Sequence, residues 1–328
     1  MRAVLTLLLA VIVATGAWLV YGLLLPVGPK GQEKFVLLRP GSSARHIARE
    51  LQNQGVIRNA RAFLLWHEWR GRPALKAGEY KFDHPASARS VYDRIVAGDI
   101  YVHTVVIPEG FNTFDIANAI QEAGLGSSGD FLAITRSDVS LISDLDPQAQ
   151  SLEGYLFPDT YEFTRTQSLH DMAAAMVRRF RQESHQVGLN TNFHDVVTMA
   201  SIVEKETAVP SERPLVAGVF NNRLHRKIVL ATDPTVIYAA LLAGRYNGVI
   251  HQSDLQADSA YNTYRHAGLP PGPICSPGRD SLQAAIQPAS SDFLYFVSDN
   301  NGHHRFARTM QEHSRNVAAY RRAVADSR

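Results

Sequence analysis

The first hydrophobic pattern in the chain is an uncharged stretch over residues 3–25. Its length matches the roughly 20 residues that an α-helix needs to cross the hydrocarbon core of a bilayer. Trp18 lies near its far end, where aromatic side chains favour the membrane interface, and Arg2 favours a cytoplasmic N-terminus. A cleaved signal peptide is the alternative, but the apolar residues continue past any cleavage point that the small residues offer. We therefore expect a retained transmembrane anchor over residues 1–25, a linker over 26–34, and the remaining chain outside the cytoplasmic membrane.

Two strand–turn–helix units of the same design follow the linker. The first begins with a strand at residues 35–38 and its helix ends near Gly55; the second begins with a strand at 104–107 and its helix ends near Gly124. In both helices the apolar residues recur at the spacing of one buried helical face. We predict a small module over residues 35–101, of about the size of a LysM carbohydrate-binding domain. Its remaining elements are a helix, a returning strand and a further helix, predicted at residues 61–69, 77–82 and 87–97.

Residues 102–328 mix helical and strand patterns and are predicted to form a larger domain. Asp233, which is followed by proline, is interpreted as the N-cap of a helix rather than a catalytic group, and a short strand is predicted just before it, at 228–232. Residues 126–150 are predicted to be an irregular connection with one short helix, and 261–278 a long loop. The other helices are predicted at residues 168–187, 196–207, 214–224, 281–286 and 310–323, and a late hairpin at 293–297 with 305–307. The fold class is therefore α+β.

Composition narrows the function classes. The chain has 328 residues, of which 45% are hydrophobic and 20% charged, and its formal net charge is +2, as is ordinary for a globular protein. No dense stripe of Lys and Arg with interleaved aromatic residues is present, so we expect no nucleic-acid partner. Cys275 is the only cysteine, which excludes an intrachain disulfide. We find no phosphate-binding loop, nucleotide fingerprint or nucleophile elbow in the sequence, and we predict neither a metal nor a cofactor. The adjacent His303 and His304 are interpreted as exposed residues of a hairpin turn.

The helix predicted over residues 196–207 carries the strongest candidate for catalysis. Its apolar residues recur at helical spacing, and at roughly 100° per residue Glu206 falls within this apolar stripe, over Met199. Glu204 is displaced from Glu206 by roughly 160° and points away, so the two carboxylates cannot serve one site as a pair. A carboxyl group on an apolar face loses hydration when it is charged, so its pKa rises, as a general acid near neutral pH requires. The alternative is that Glu206 ends the helix and is hydrated, or pairs with a nearby arginine.

The loop over residues 261–278 offers groups that suit a sugar ligand. Tyr261, Asn262 and Tyr264 combine aromatic faces, which stack on sugar rings, with polar groups that bind sugar hydroxyls. A rigid structural turn is the alternative. A common glycosidase needs two carboxylates beside the scissile bond, and the sequence offers one well-placed glutamate without an obvious partner. This favours intramolecular transglycosylation, in which one glutamate protonates the departing oxygen and then removes a proton from the sugar's own hydroxymethyl group.

Several short motifs in a specific order along the chain resemble the YceG-like endolytic murein transglycosylase (MltG) family. The resemblance runs from the anchor to the last helix. The motifs are Leu-Glu-Gly at 152–154, Phe-Pro-Asp-Thr-Tyr at 157–161, Ala-Ser-Ile-Val-Glu-Lys-Glu-Thr at 200–207, Phe-Asn-Asn-Arg-Leu at 220–224, Thr-Asp-Pro-Thr at 232–235, Tyr-Asn-Thr-Tyr at 261–264, Gly-Leu-Pro-Pro-Gly at 268–272 and Pro-Gly at 277–278.

The resemblance implies a single-pass enzyme of the cell inner membrane whose catalytic domain lies in the periplasm. It implies cleavage within nascent peptidoglycan glycan strands, between N-acetylmuramic acid and N-acetylglucosamine, which leaves 1,6-anhydro-muramic ends and terminates strand elongation. It also implies a LysM-like module before a mixed α/β catalytic domain at residues 102–328. The family's catalytic glutamate corresponds to Glu206, which the helix pattern also singles out.

The sequence thus predicts a membrane-anchored murein transglycosylase with Glu206 as its acid and base. The predicted partners are peptidoglycan glycan strands and the inner membrane, with peptidoglycan synthases as candidates. Two alternatives stay open: a muramidase that releases reducing ends by hydrolysis, and a wall-binding scaffold in which Glu206 is only structural. The candidate substrate-binding or orienting residues are Glu204, Asn222, Arg223, Asp233, Tyr261, Asn262 and Tyr264.

Overall fold

A computed structural model describes residues 1–29 and 31–326 of the chain. Lys30, in the predicted linker, and the last two residues, in the predicted catalytic domain, lie outside this range. The chain divides into two compact units. Unit 1 consists of Met1–Thr104 with Glu162–Ser168, and unit 2 consists of Val105–Tyr161 with the chain from Leu169 onward.

The N-terminal apolar stretch forms helix α1 (Arg2–Leu24). Its length and its mean hydropathy of 2.5 suffice to cross a membrane, a property that an anchor and a signal sequence share. It packs against the third and fourth helices of unit 1, and a Cβ atom added at Gly22 would lie 2.8 Å from the Cβ atom of Ala62. Glycine is therefore required where α1 meets the rest of unit 1, because any larger side chain would push the helices apart.

Unit 1 is built on strand β1 (Lys34–Leu38), which pairs antiparallel with strand β2 (Gly78–Phe82). Helices α2 (Ala44–Asn53), α3 (Ala60–Trp69) and α4 (Ala88–Ala97) complete it. Each helix begins after a Ser or Asn whose side chain accepts a hydrogen bond from a first-turn N–H group, which is why it begins there. The apolar positions of the helices and both strands form one core, whose large members include Leu38, Leu51, Phe63, Tyr80 and Tyr92.

A buried carboxylate holds residues 162–168 to the rest of unit 1. Glu79 on β2 is 1% exposed, and its carboxylate oxygens lie 2.6 Å from His103 Nε2 and 3.0 Å from Arg165 Nη1. A buried charge without partners is costly, so these two contacts are needed for Glu79 to be accommodated.

Unit 2 is mainly helical. Helix α8 (Phe193–Glu206) lies at its centre and packs against α9 (Arg213–His225), α10 (Asp233–Leu242) and α12 (Arg279–Ile286). Strands β5 (Tyr295–Ser298) and β6 (His304–Ala307) form an antiparallel hairpin against α13 (Met310–Asp326). The remaining strands of the chain are β3 (His103–Val106) and β4 (Thr160–Phe163), which pair with each other. The remaining helices are α5 (Thr113–Glu122), α6 (Ser128–Ser137), α7 (Leu169–Gln186) and α11 (Gln252–Leu255).

Helix α8 is more deeply buried than its apolar stripe predicts. Seven consecutive residues from Val197 to Val203 are buried, including the polar Thr198 and Ser201. Neighbouring helices cover it on several sides, because α8 is the central helix of unit 2. The face that carries Glu204 is therefore also enclosed by protein, although the sequence places only Glu206 on the apolar stripe.

Two local predictions are wrong. Residues 228–232 do not form a strand, because Ala231 has a left-handed backbone (φ +48°) that interrupts an extended conformation. Asp233 is not the N-cap of α10: Thr232 takes that position, and Asp233 begins the helix itself. The mixed α/β composition and the N-terminal apolar helix are confirmed, as is the absence of helix and strand in the loop at 261–278. The LysM-like character of unit 1 stays a prediction.

Candidate active site

The C-terminal end of α8 opens into a cavity of about 240 Å³ in unit 2. Glu206, the last residue of α8, lies in its wall and is half-buried. The start of α10, the adjacent residues before it, Tyr264 of the long loop, and side chains of α9, β5 and α13 form the rest of the wall. The lining residues are Glu206, Phe220, Arg223, Leu230, Ala231, Thr232, Asp233, Tyr264, Phe296 and His313.

The surroundings of Glu206 favour its protonated form. Burial raises the pKa of its carboxyl group above the ordinary value, the hydrogen bond from the Thr232 hydroxyl opposes this shift, and the negative charge of Asp233 adds to it. The position at the C-terminal end of a helix also disfavours a negative charge, because the helix dipole is negative there. A carboxyl group that stays protonated near neutral pH can donate a proton to a bound substrate.

Arg223 supplies a fixed positive charge to the same cavity. Its Nε atom donates to the Leu294 carbonyl oxygen (2.7 Å) and its Nη1 atom to the Leu230 carbonyl oxygen (2.6 Å). Its guanidinium group also lies over the Tyr295 ring, 5.3 Å from the centroid. Burial lowers the pKa of Arg223, and its charge lowers the pKa of Glu206, so Arg223 stabilises the carboxylate that remains after Glu206 has given up its proton.

Asp233, one of the candidate substrate-binding residues, brings a second carboxylate into the cavity wall. The Tyr264 hydroxyl donates a hydrogen bond of 2.6 Å to its Oδ1 atom. Asp233 is exposed, whereas Glu206 is half-buried. The two carboxylates therefore differ in environment: burial raises the pKa of Glu206, and the negative charge of the exposed Asp233 adds to that rise.

Four of the predicted substrate-binding residues lie outside the cavity wall. Asn222 donates to the carbonyl oxygens of Ser291 and Phe293 (2.7 and 2.9 Å). Asn262 is fully buried, and its amide group donates to three nearby backbone carbonyls. Tyr261 packs on the Tyr238 ring, with 5.0 Å between centroids. These contacts support the loops from within; a direct substrate contact for these residues stays a prediction.

Glu204 is the fourth of these residues, and it is buried in an ion pair on the other side of α8. Its Oε1 atom lies 2.8 Å from Arg213 Nη2, and its Oε2 atom accepts a hydrogen bond of 2.9 Å from the Gly278 N–H group. The exposed fractions of the Glu204 and Arg213 side chains are 5% and 7%. Glu204 therefore fixes the end of the long loop at 261–278 to α8 and is not part of the cavity wall. Its orienting role stays a prediction.

Residues missed by the sequence analysis complete the site. Thr232 belongs to the Thr-Asp-Pro-Thr motif, so a signal for it existed, but its hydroxyl could be related to Glu206 only through the fold. His313 gives no local signal, because it lies on a long amphipathic helix that the chain folds back onto the cavity. His303 and His304, interpreted as a bare exposed pair, both contact Glu212, with Nδ1 to carboxylate distances of 3.0 and 2.7 Å.

Glu153, in the Leu-Glu-Gly motif, is a buried carboxyl group of unit 2 outside the cavity wall. It is 2% exposed, and its Oε2 atom accepts hydrogen bonds from the Thr113 N–H group, the Thr113 hydroxyl and the Tyr238 hydroxyl (3.0, 2.9 and 2.9 Å). Burial raises its pKa to about 7, against the lowering effect of these hydrogen bonds. Glu153 therefore caps the first turn of α5 from a distant part of the chain and ties it to α10.

The raised pKa of Glu153 predicts a pH-dependent stability. In the unfolded chain the carboxyl group loses its proton near its model value of 4.5, whereas in the folded protein it keeps it up to about pH 7. The stabilisation is thus present below about pH 4.5 and is lost as the pH rises to 7. We expect wild type to lose about 3 kcal/mol over this window relative to Glu153→Gln. Denaturant titrations at several pH values measure this difference, and parallel curves for the two proteins would contradict it.

Three comparisons relate the chain to known proteins. The sequence profile of the YceG-like family matches residues 36–319. The chain is 33% identical over 301 residues to the endolytic murein transglycosylase of Bacillus subtilis (strain 168), covering 85% of this chain and 82% of that protein. It is 30% identical over 331 residues to the endolytic murein transglycosylase of Streptococcus pneumoniae serotype 2 (strain D39), covering 90% of this chain and 60% of that longer protein. A 2.6 Å crystal structure of a YceG-like protein from Listeria monocytogenes superposes with a TM-score of 0.57 and 32% identity, covering 87% of this chain and 99% of that one.

Proposed function

This chain belongs to the YceG-like family, and we propose on that ground that it is an endolytic murein transglycosylase with Glu206 as its acid and base. Its substrate is the peptidoglycan glycan strand, which it cuts between N-acetylmuramic acid and N-acetylglucosamine. The observation that carries the role of Glu206 is its environment: it lies in the cavity wall, and burial raises the pKa of its carboxyl group. The names of the related proteins support the proposed activity. The place of Glu206 in the cavity supports its role as the acid and base.

The reaction needs a single group that first donates and then accepts a proton. Glu206 protonates the glycosidic oxygen while the bond from this oxygen to C1 of N-acetylmuramic acid breaks. The hydroxymethyl oxygen of the same sugar then bonds to C1 and gives its proton to the Glu206 carboxylate, which closes the 1,6-anhydro ring. No water is consumed, and Glu206 ends in its starting state. Arg223 stabilises the carboxylate between the two steps, when the sugar carries developing positive charge.

A digest of uncrosslinked glycan strands tests this proposal. The full chain in mild detergent should produce fragments of many lengths early in the reaction, because an endolytic enzyme cuts within strands. Mass spectrometry should find new ends that carry 1,6-anhydro-muramic acid. Release of disaccharides from one end would contradict endolytic cleavage, and the absence of cleavage would contradict the enzymatic function.

Hydrolysis is the second candidate, and Asp233 is the observation that favours it. A hydrolase needs a second carboxylate to activate water or to stabilise the charged sugar, and Asp233 lies in the same cavity as Glu206. In that case the new ends would be heavier by one water, and Asp233→Asn would reduce their yield without removing the acid. The masses of the products therefore distinguish the two reactions.

The N-terminal part of the chain is proposed to place this activity at the membrane. Residues 1–25 serve as a single-pass inner-membrane anchor, 26–34 as a linker, 35–101 as a LysM-like module, and 102–328 as the periplasmic catalytic domain. A cavity of about 530 Å³ beside β1 and α2 supports a binding role for the module. At this place the enzyme meets strands as peptidoglycan synthases extend them, so cutting would end their elongation.

A further inference from the structure

Three buried threonines form a closed ring of hydrogen bonds beside the candidate acid. Thr232, Thr235 and Thr263 are 3%, 0% and 1% exposed. The Thr232 N–H group donates to Thr263 Oγ1 (3.1 Å), and the Thr235 hydroxyl donates to the Thr232 carbonyl oxygen (2.8 Å). The Thr235 and Thr263 hydroxyl oxygens lie 2.8 Å apart. Because the Thr235 proton is already used, Thr263 donates in this last contact, and the ring closes with each donor satisfied.

The ring leaves one hydroxyl free to point outward, that of Thr232. This hydroxyl donates to Glu206 Oε1. The backbone before it is also fixed, since the Ala231 N–H group donates to the Thr263 carbonyl oxygen (3.0 Å). Thr232 is β-branched, so its side chain has few rotamers. Its hydroxyl is therefore held in one direction by the backbone, by the ring and by its own stiffness.

We propose that Thr232 is a positioning residue that sets which oxygen of Glu206 carries the proton. An oxygen that accepts a hydrogen bond acts as the carbonyl oxygen of a protonated carboxyl group, so the proton resides on the other one. With Oε1 engaged by Thr232, the proton lies on Oε2, for which the described residues supply no hydrogen-bond partner. Oε2 is then available to the glycosidic oxygen of a bound strand. This inference rests on the proposed function, because it concerns how Glu206 delivers its proton.

The same contact predicts a signature in the pH profile. The hydrogen bond from Thr232 lowers the pKa of Glu206 against the larger raising effect of burial. Its removal should raise that pKa further, so that the loss of activity on the basic side moves to higher pH. The other titratable groups that face Glu206 stay in place in such a variant; they are Arg223 on α9, Asp233 on α10, Tyr264 on the long loop, His304 on β6 and His313 on α13.

Thr232→Val and Thr232→Ser in the full chain test the proposal. Valine keeps the shape and removes the hydroxyl, whereas serine keeps the hydroxyl. We expect Thr232→Val to lower kcat at least tenfold while KM stays within about twofold of the wild-type value. The basic side of its pH–activity profile should move to higher pH by about one unit. Thr232→Ser should restore the wild-type profile. Thr198→Val is the matched control: it removes a buried hydroxyl that has no hydrogen-bond partner among the described residues from α8, the helix that carries Glu206, and should leave kcat and the profile unchanged.

Each outcome decides for or against the inference. A Thr232→Val enzyme with wild-type kcat and profile would overturn it, as would a Thr232→Ser enzyme as impaired as Thr232→Val, or a Thr198→Val enzyme with the same shift. If Thr232→Val does not fold, Thr232→Ala is compared with Thr232→Ser in the same assay. Glu206→Gln is included throughout. If that variant still cuts strands, the proposed acid fails and the role of Thr232 with it; if it is inactive while Thr232→Val is normal, only the positioning role fails.

Discussion

Replacing Glu206 by glutamine is expected to lower the rate of glycan-strand cleavage by between about 10² and 10⁴-fold, the range that a general acid and base contributes. Glutamine keeps the size of the side chain, and its amide oxygen can still accept the hydrogen bond from Thr232. It cannot donate an acidic proton or take one back. Both halves of the proposed reaction should therefore fail, whereas binding of the strand should persist.

The fold should not suffer from this change. The raised pKa means that the folded protein favours a neutral group at residue 206. Its stabilisation is therefore complete below the ordinary glutamate pKa and is lost as the pH rises from there to the raised pKa of the folded protein. A permanently neutral glutamine avoids that loss, and the variant should be at least as stable as wild type at pH 8. Glu122→Gln, an exposed glutamate at the end of α5, is the control for loss of a charge and should cut at the wild-type rate. Cleavage by Glu206→Gln at the wild-type rate would instead show that another group supplies the proton, and would rule out Glu206 as the acid.

Replacing Arg213 by methionine is expected to destabilise unit 2 by about 3–5 kcal/mol, the cost of leaving a buried charge without its partner. Arg213 lies 2.8 Å from Glu204, and its other acidic neighbours, Glu109 at 3.5 Å and Asp280 at 3.9 Å, are about half exposed. Only Glu204 is therefore stranded when Arg213 is removed. The midpoint of thermal unfolding should fall by roughly 10 °C, as calorimetry of the full chain can measure.

The double variant identifies the cause of this loss. Replacing Glu204 by methionine as well removes the stranded charge, and well-packed apolar pairs often replace buried ion pairs at little cost. We expect the double variant to recover most of the lost stability, although the hydrogen bond from Gly278 to Glu204 is gone. A double variant that is less stable than Arg213→Met would contradict this explanation, because it would show that Glu204 is not stranded. Tryptophan fluorescence is unsuitable here, since Trp18, Trp66 and Trp69 all lie in unit 1.

Helical spacing correctly separated the two glutamates of α8 but could not say what surrounds each of them. Glu206 and Glu204 point to different sides of the helix, as predicted. Which side has a cavity depends on the packing of α9 and α10, which join α8 only in the folded chain. Periodicity reports which residues share a face; it does not report whether a face is solvent, a core or a cleft.

The loop motifs illustrate the same limit. Polar residues near aromatic ones suit a sugar, yet they equally suit a turn that must satisfy its own backbone groups. Asn262 turned out to donate to three carbonyls in and just after α11, whereas Tyr264, two residues later, lies in the cavity wall. Arg223 and Asp233 are likewise in the wall, while Asn222, the neighbour of Arg223, holds the backbone before β5. Composition identifies candidate binding loops, but only three-dimensional packing decides which of their residues face the cavity.

The carboxyl group of Glu206 can be titrated directly. The full chain labelled with ¹³C at the glutamate carboxyl carbons gives a signal that moves with pH, and the signal that is missing in Glu206→Gln belongs to this residue. The structure predicts a titration midpoint above the ordinary glutamate value of 4.5, so that a protonated acid persists toward neutral pH. A midpoint at or below 4.5 would mean that the residue is ionised where the enzyme works, and that another group must supply the proton.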